Sequence, residues 1–270
     1  LPAGGADDIV VAVIDSGVDY THPDLINNMW RNPGEIPNNN VDDDGNGFVD
    51  DIHGVDVLSQ QSNHNGDPQD VHGHGTHVAG IIAAEAGNGQ GVVGVAFNTK
   101  IMAIKAAQFS GILTSADIAE AILYAVENGA DVINMSFGGY GRSQVEEDAL
   151  ATAYSQAVLI SSAGNDGKLN HYDCNNIPGA PSYPASYPWV VGVMATQERP
   201  NIGGYLTNFS NRDCVSDNGI EYEVMAPGAQ IWSTLPNNSY GAWNGTSMAA
   251  PVVSGVAALA RTKWPDKSKF

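Results

Sequence analysis

The segment "DIVVAVIDSG", residues 8–17, decides which fold the chain is predicted to adopt. Between its polar ends it is an unbroken run of Ile, Val and Ala. Such a run is typical of a strand buried on both faces, as in a parallel sheet covered by helices. The strand is predicted to end at Asp15. A carboxylate then stands at the carboxyl end of a strand, where open α/β sheets collect their functional groups.

The rest of the chain continues this alternation of strands and helices. Further strands are predicted in "TKIMAIKAA", "DVINMS", "VLISSAG", "WVVGVMAT" and "EVMAPG". Helical patterns are present in "HVAGIIAAEAGNG", "TSADIAEAILYAVENGA", "QVEEDALATAYSQA" and "GTSMAAPVVSGVAALART". We therefore predict an α/β fold of three layers, in which helices cover both faces of a mostly parallel central sheet. Because the sequence shows no internal repeat, low-complexity tract or linker, residues 1–270 are predicted to form a single domain.

The chain is strongly acidic. Its 270 residues include 30 Asp and Glu against 11 Lys and Arg, which gives a formal charge of -19. That charge repels nucleic acid and anionic membranes, so neither is expected as a partner. No apolar run approaches the ~18 residues of a membrane-spanning helix. The excess carboxylates either attract cations such as Ca²⁺ or serve only to keep the surface soluble.

Three histidines cluster in "DVHGHGTHVAGIIAA", residues 70–84, at His72, His74 and His77. A helical zinc site needs two histidines on one face, as in His-x-x-x-His, and these spacings do not give that pattern. A histidine placed at a helix start by a Gly-rich turn can instead act as a general base if a carboxylate holds its other nitrogen. The pattern favours the general base, and zinc remains the alternative.

The partners that such a base needs are present elsewhere in the chain. Asp15 is the candidate carboxylate, although Asp-Ser-Gly alone is usually only a turn. Ser247, in "NGTSMAAP", follows a Gly-rich turn at the start of a predicted helix, where backbone N–H groups and the helix dipole favour negative charge. It is a candidate nucleophile, although a lone serine there is more often a helix cap.

Five motifs stand out in the sequence, and three of them contain Asp15, His74 or Ser247. The motifs are "VVAVIDSGVDYTHPDL", "HGTHVAGIIAA", "NMSFGG", "SSAGND" and "NGTSMAAPVVSGVAAL". In these motifs, and in the order Asp, His, Ser, the chain resembles the subtilisin-like serine peptidases. The resemblance implies a secreted serine endopeptidase in which Asp15, His74 and Ser247 form a catalytic triad. It also implies that the Asn165 side chain joins the Ser247 N–H in binding the oxyanion.

The same resemblance carries expectations about partners and organisation. It implies polypeptide substrates, and a pro-segment of the same chain that acts as inhibitor and folding aid. The peptidase domain is expected to be a monomer and to lack the usual C-terminal end of the fold. Two alternatives stay open: a binding protein of this fold with an inactive site, and a zinc hydrolase that uses the histidine cluster.

Substrate-binding residues are also implied by the resemblance. One segment would pair with an extended substrate, a second would form a wall of the pocket for the residue before the scissile bond, and one serine would lie at the base of that pocket. Small residues there favour a large apolar or uncharged side chain. These residues are, in that order, Ser136, Phe137 and Gly138; Ser162, Ala163 and Gly164; and Ser182.

Residues 38–51, "NNNVDDDGNGFVDD", form a candidate calcium loop. Counted from Asn40, oxygen-bearing residues stand at positions one, three, five and twelve (Asn40, Asp42, Asp44 and Asp51), with a glycine at six, which is close to the EF-hand pattern. The alternative is a charged surface loop. The resemblance adds two further cation sites, one at Asp24 and Asn88 and a weaker one at Glu221 and Glu223.

Two covalent features complete these expectations. Cys174 and Cys214 either form a disulfide, as is usual in a secreted protein, or are two buried thiols. The Tyr183–Pro184 bond is a candidate cis peptide.

Overall fold

The computed structural model describes residues 9–58, 66–108, 110–167, 181–199, 203–213 and 222–264. An eight-stranded sheet forms its centre, with the strand order β2-β3-β1-β4-β5-β6-β7, while β8 pairs with β6. Only β7 runs antiparallel to its neighbour, so the expectation of a mostly parallel sheet is confirmed. The strands are β1 (Val10–Asp15), β2 (Gly54–Asp56), β3 (Lys100–Lys105), β4 (Val132–Met135), β5 (Val158–Ser162), β6 (Val190–Arg199), β7 (Gly203–Leu206) and β8 (Val224–Pro227).

In the described residues, four α-helices and a hairpin surround the sheet. The helices are α1 (His74–Ala83), α2 (Ser115–Glu127), α3 (Gln144–Tyr154) and α4 (Thr246–Lys263), and a short 3-10 helix spans Ile26–Asn28. Strands β9 (Ile231–Leu235) and β10 (Ser239–Trp243) pair as the antiparallel hairpin. Within the described ranges, no helix combines the length and the apolar character needed to cross a bilayer.

Strand β1 shows why its sequence is apolar without interruption. Ala12 and Ile14 point to one side of the sheet, into a core shared with α2 and α3. Val11 and Val13 point to the other side, into a core shared with α1 and α4. Since both faces are covered, both sets of alternate positions must be apolar. The three-layer α/β architecture is therefore confirmed.

The carboxyl ends of the central strands meet at one edge of the sheet. In register, Asp15 on β1 lies beside β3, while β4 and β5 end at the same edge and continue into Ser136 and Ala163. Helices α1 and α4 both begin near this edge and pack against each other. The topology thus places their first turns, with His74 and Ser247, close to Asp15.

Several elements differ from the sequence prediction. Helix α1 ends at Ala83, although the pattern predicted a helix that continues up to a Gly-Asn-Gly stop at residues 87–89. Strands β2 and β7 and the β9–β10 hairpin were not predicted. These strands are only three to five residues long, so their sequences carry little periodic signal.

Candidate active site

A cavity of about 390 Å³ opens at the carboxyl edge of the sheet. It brings together most of the side chains that the sequence predicts for catalysis and substrate binding. The residues of that set that line it are Asp15, His74, Ser136, Phe137, Gly138, Ser162, Gly164, Asn165, Ser182 and Ser247. Ala163 is fully buried behind the wall and does not line the cavity.

Asp15 and His74 form a close pair. The His74 Nδ1 atom lies 2.8 Å from Asp15 Oδ1 and 2.9 Å from Oδ2. A carboxylate only accepts hydrogen bonds, so Nδ1 must carry the hydrogen, and in the neutral imidazole Nε2 then has the free lone pair. The Ser16 backbone N–H also donates to Asp15 Oδ1, at 2.7 Å, and holds the carboxylate in place.

The electrostatic surroundings of His74 favour the imidazolium. Burial lowers the pKa of His74, but the charge and hydrogen bond of Asp15, together with the charge of Asp70, raise it further, and the net pKa lies above the ordinary histidine value. A base of this kind accepts a proton readily once a donor reaches Nε2.

Two glycines allow α1 to start where it does. Gly73, just before the helix, has a φ of 101°, a left-handed conformation that favours glycine. At Gly75, a Cβ atom would lie 2.0 Å from the Gly17 carbonyl oxygen and 3.0 Å from Asp15 Cβ. A side chain at position 75 would therefore force α1 away from the end of β1 and separate His74 from Asp15.

Ser247 is the second residue of α4, and its hydroxyl is hydrogen-bonded to β4 in this structure. The Oγ atom donates to the Ser136 carbonyl at 3.0 Å, and Ser136 Oγ donates to the Ser247 carbonyl at 3.0 Å. Ser247 and His74 border the same cavity. The hydroxyl must release the Ser136 carbonyl before it can donate to His74.

A buried chain of hydrogen bonds fixes α4 against the sheet. Ser254 Oγ donates to Asn134 Oδ1 at 2.9 Å, and Asn134 Nδ2 donates to Ser136 Oγ at 2.9 Å. Ser136 in turn bonds to the Ser247 carbonyl, as described above. All four residues belong to α4 or to β4 and its continuation, so this chain links the helix to the strand at two levels.

The Asn165 side-chain amide is held at the start of α4 by its oxygen. Its Oδ1 atom accepts from the Thr246 backbone N–H at 2.8 Å and from Thr246 Oγ1 at 3.0 Å. The Nδ2 atom and the Ser247 N–H both border Gly245, where a Cβ atom would lie 3.5 Å from each nitrogen. Two hydrogen-bond donors, the Asn165 amide and the Ser247 N–H, therefore stand close to each other at the start of α4.

The predicted substrate-binding residues that line the cavity form a recess beside Ser247. A Cβ atom at Gly138 would lie 2.8 Å from Ser182 Oγ, and one at Gly164 would lie 3.5 Å from the same atom. Ser182 therefore lies beside two glycines, one from each wall segment. Gly139 forms an antiparallel bridge with Tyr183, and the Tyr183–Pro184 peptide is cis, as predicted.

His77 is part of the core and not of the cavity. It is 0% exposed, its Nε2–H donates to the Gly241 carbonyl at 3.0 Å, and its ring stacks on Trp243 at 4.8 Å. Burial lowers the pKa of His77 to about 4. Among the described residues, the histidines do not form a group of three metal-binding side chains. The geometry thus gives no support to the zinc alternative.

In the acidic loop, the carboxylates that converge are those of Glu35, Asp42 and Asp44. One oxygen from each lies within 4.8 Å of the others. Like charges at that separation repel one another, and an all-oxygen set of this kind matches what Ca²⁺ prefers, so the residues fit that ion. Glu35 was missed by the sequence reasoning because it lies outside the twelve-residue pattern.

The two remaining residues of the predicted loop site have other contacts. The Asn40 backbone N–H donates to Asp50 Oδ2 at 3.0 Å. Asp51 is fully buried and accepts from Tyr124 Oη at 2.6 Å and from Asn46 Nδ2 at 2.9 Å. Burial raises the pKa of Asp51. Neither residue contributes to the group of converging carboxylates.

At the other predicted cation sites, Asp24 and Asn88 are in contact. Asn88 Nδ2 donates to Asp24 Oδ1 at 2.5 Å, and the Val92 N–H donates to Asp24 Oδ2 at 3.0 Å. Glu223 Oε2 accepts from the Gly192 N–H at 2.6 Å. Glu221, Cys174 and Cys214 lie outside the described residues, so the second ligand of that site and the disulfide stay predictions.

One buried acidic residue near His74 was not singled out from the sequence. Asp70 is 3% exposed and accepts hydrogen bonds from the turn before α1 and from its first turn. The available signal was an aspartate a few residues before a predicted helix start, which is typical of capping.

Comparisons with known proteins agree with this geometry. A profile of the peptidase S8 group, the subtilase family, matches residues 6–269. Thermophilic serine proteinase from Bacillus sp. (strain AK1) is 38% identical over 250 residues, which are 92% of this chain and 51% of that protein. Subtilisin DY from Bacillus licheniformis is 43% identical over 200 residues, 74% of this chain and 67% of that protein. The chain therefore spans about half the length of the first of these relatives.

A solved structure gives the same answer at the level of the fold. The structure of sphericase superimposes with a TM-score of 0.79 and 31% identity, and the match covers 98% of this chain and 80% of that one. Together with the profile match, this likeness shows the family directly. The chain belongs to the subtilase family of serine endopeptidases.

Proposed function

We propose that this protein is a secreted serine endopeptidase that hydrolyses peptide bonds through an acyl-enzyme and is stabilised by bound calcium. The observation that carries the proposal is the single cavity bordered by the Asp15–His74 pair, by Ser247 and by the Asn165 amide. A base, a nucleophile and oxyanion donors in one cleft constitute the machinery of acyl transfer.

In the first half of the reaction, the Ser247 hydroxyl turns from the Ser136 carbonyl toward His74. His74 Nε2 takes the hydroxyl proton as Oγ attacks the carbonyl carbon of the scissile peptide. Asp15 holds the ring in the required tautomer and stabilises the imidazolium. His74 then gives the proton to the departing amine, which leaves the acyl group on Oγ.

In the second half, a water molecule takes the place of the amine. His74 accepts a proton from this water as it attacks the acyl carbon, and returns a proton to Ser247 Oγ when the acid is released. In both halves the negative charge on the substrate oxygen is met by the Asn165 Nδ2 and Ser247 N–H donors. Their positions are set before substrate binds, so they need little reorganisation during the reaction.

Substrate is held as an added strand and by one recess. Ser136, Phe137 and Gly138 continue β4 along the cavity and offer backbone groups to an extended polypeptide. The recess between Gly138, Gly164 and Ser182 carries no charged side chain at its base, which favours a large apolar or uncharged residue before the scissile bond. A pro-segment of the same chain would occupy this cleft in the precursor, and the mature peptidase would act as a monomer.

Calcium has a structural role in this proposal. Glu35, Asp42 and Asp44 would hold one ion, and Asp24 with Asn88 would contribute to a second. The ion supplies positive charge that neutralises the converging carboxylates, so the folded state gains stability by mass action. Calcium sites of extracellular modules have Kd values of about 10⁻⁴–10⁻³ M, so a stabilising ion of this kind is compatible with a secreted protein.

The nucleophile is tested by labelling with a fluorophosphonate. The wild-type protein should be labelled and should cleave casein, whereas Ser247→Ala should lose both properties, with kcat lower by about 10⁶-fold, as in subtilisin itself. A folded, calcium-loaded wild-type protein with no turnover would favour the binding-protein alternative. Casein cleavage that survives in Ser247→Ala would refute the proposal.

The calcium assignment is tested on Ser247→Ala protein, which cannot digest itself. Calcium in 100-fold excess over its Kd should stabilise the fold by about 2.7 kcal/mol, and EDTA should reverse the gain in Tm. Adding Asp42→Asn should reduce the gain. Asp148→Asn, an equal charge change on the exposed face of α3, is the matched control and should keep the full gain. An unreduced gain with Asp42→Asn would show that the loop does not bind the ion.

A further inference from the structure

Asp70 is a buried carboxylate in the turn that leads into α1. Its Oδ1 atom accepts from Ser16 Oγ at 3.0 Å and from the N–H groups of His72 and Gly73 at 2.8 and 2.9 Å. Its Oδ2 atom accepts from the Thr76 N–H at 3.0 Å and from Thr76 Oγ1 at 2.6 Å. Five hydrogen bonds therefore converge on one side chain that is 3% exposed.

These bonds replace the cap that α1 lacks. The residue at the cap position is Gly73, which has no side chain and makes no side-chain cap bond. Asp70 satisfies the N–H groups of Gly73 and Thr76, and Ser16 Oγ accepts from the Gly75 N–H at 3.0 Å. Because the first N–H groups of a helix have no partner within the helix, the N-terminal end of α1 depends on this carboxylate and on Ser16.

The same bonds join the two elements that carry the catalytic pair. Ser16 directly follows Asp15 at the end of β1, and His74 is the first residue of α1. Asp70 bonds to Ser16 on one side and to both flanks of His74 on the other. The separation of the His74 ring from the Asp15 carboxylate is therefore set by a side chain that touches neither of them.

Asp70 also adds charge next to the imidazole. The groups that act on His74 are the carboxylates of Asp15 and Asp70 and the ring of His77, while the rings of His72 and Trp243 lie 6.4 and 6.0 Å away. The charge of Asp70 is one of the causes that raise the pKa of His74. Removal of that charge should therefore shift the imidazole titration toward lower pH.

We propose that Asp70 is a positioning residue for the peptidase reaction, which fixes the start of α1 against the end of β1 and keeps a second negative charge beside His74. This inference rests on the proposed function, because it assumes that His74 is the base. Asp70 does not contact substrate and takes no proton. It acts through the geometry and the charge around His74.

The experiment compares Asp70→Asn with a matched control. Asp117→Asn removes a buried carboxylate from the first turn of α2, where it accepts from Thr114 Oγ1, on the opposite face of the sheet. With a chromogenic peptide substrate, Asp70→Asn should lower kcat/KM by roughly 10-fold to 100-fold, the cost of a catalytic group displaced by a fraction of an ångström to one ångström. It should also move the acid limb of the kcat/KM profile to lower pH, whereas Asp117→Asn should do neither.

Ser16→Ala separates geometry from charge. It removes the link to β1 and leaves the Asp70 carboxylate, so kcat/KM should fall while the acid limb stays in place. This variant also keeps the proposal testable if Asp70→Asn fails to fold. An unchanged kcat/KM in both variants, or a loss without any shift of the limb in Asp70→Asn, would overturn the inference.

A second readout does not depend on turnover. In the Ser247→Ala background, NMR titration of the His74 ring should give a lower pKa when Asp70→Asn is added and an unchanged one when Asp117→Asn is added. If the wild-type protein has no peptidase activity but the His74 titration shifts as expected, the proposed function fails and the coupling stands. If the wild-type protein is active and the titration does not shift, the coupling fails and the proposed function stands.

Discussion

Helices α1 and α4 both begin behind a glycine and both present their first turn to the cleft, yet different groups meet their N-terminal ends. At α1 the group is the Asp70 carboxylate, which bonds to the Gly73 and Thr76 N–H groups. At α4 it is the neutral Asn165 amide, whose oxygen bonds to the Thr246 N–H. The positive end of one helix dipole is therefore compensated by an anion, and that of the other is not.

This difference matches the charges that form in the reaction. In the proposed reaction His74, at the start of α1, would become an imidazolium, which the neighbouring carboxylates would stabilise. The substrate oxyanion would form next to the N–H of Ser247, at the start of α4, where an uncompensated helix end is favourable. The two helix starts are similar, but the first would stabilise a positive charge and the second a negative charge. The side chain that caps each helix determines the sign.

Among the changes that test this comparison of the two helix starts, the largest effect is expected when the Asp15 carboxylate beside His74 is made neutral. Asp15→Asn should lower kcat by about 10⁴-fold, because an amide can donate to Nδ1 and so stabilise the wrong tautomer. Steady-state kinetics with a peptide substrate would measure the loss. Fluorophosphonate labelling should slow as well, since the nucleophile remains but its base is wrongly oriented. A variant that stays within tenfold of wild type would show that the Asp15 charge is not needed at this helix start.

A smaller loss is expected when the neutral cap of α4 is changed. Asn165→Ala should lower kcat by roughly 10²–10³-fold, the range found for the corresponding donor in subtilisin. Asn165→Asp keeps an acceptor for the Thr246 N–H but places an anion where the oxyanion forms, so its loss should exceed that of the alanine variant. The comparison of kcat for the two variants, with KM as the control for substrate binding, tests this order. Equal activity of Asn165→Asp and wild type would contradict the assigned role.

The smallest effect concerns His77, one turn further along α1 and away from the carboxylates. Its pKa of about 4 in the folded protein lies below the value of about 6.5 in an unfolded chain. The unfolded state therefore binds the extra proton first, and stability should fall as pH drops from about 6.5 to 4, by at most about 1.4 kcal/mol per pH unit.

Denaturant unfolding at several pH values in the Ser247→Ala background would measure this slope. His77→Gln keeps a donor for the Gly241 carbonyl but cannot gain a proton in this range, so the slope should become shallower than in the parent. A variant with the parental slope would show that His77 does not titrate between the two states.

Much of the fold could be predicted because its central strands are locally unambiguous. The run that ends at Asp15 is apolar at every position, which only a strand covered on both faces requires. Three of the four helices were also outlined by their periodic pattern to within a few residues. Strand β2, in contrast, is three residues long, and its burial comes from pairing with β3, which no local pattern reports.

For the site, the motifs predicted residue types and order but not orientation. The Ser247 hydroxyl bonds to the Ser136 carbonyl, a contact across 111 positions of sequence that depends on how α4 packs on β4. Glu35 joins the acidic group because the chain folds back, so that its carboxylate accepts the N–H of Asp43 at 2.8 Å. In both cases the missing information is tertiary, and spacing along the chain does not contain it.

The hydrogen bonds from Ser254 through Asn134 to Ser136 restrain Ser247 from moving along the axis of α4. A shift of α4 along its axis by even a fraction of the 1.5 Å rise per residue would break these hydrogen bonds. The buried Asn134 amide would then lack a partner, at a cost of about 1–3 kcal/mol. Any shift of α4 along its axis would therefore move the helix dipole and the Ser247 hydroxyl together. The position of the Ser247 Oγ atom is therefore set by a buried residue two turns further along α4, away from the substrate cleft.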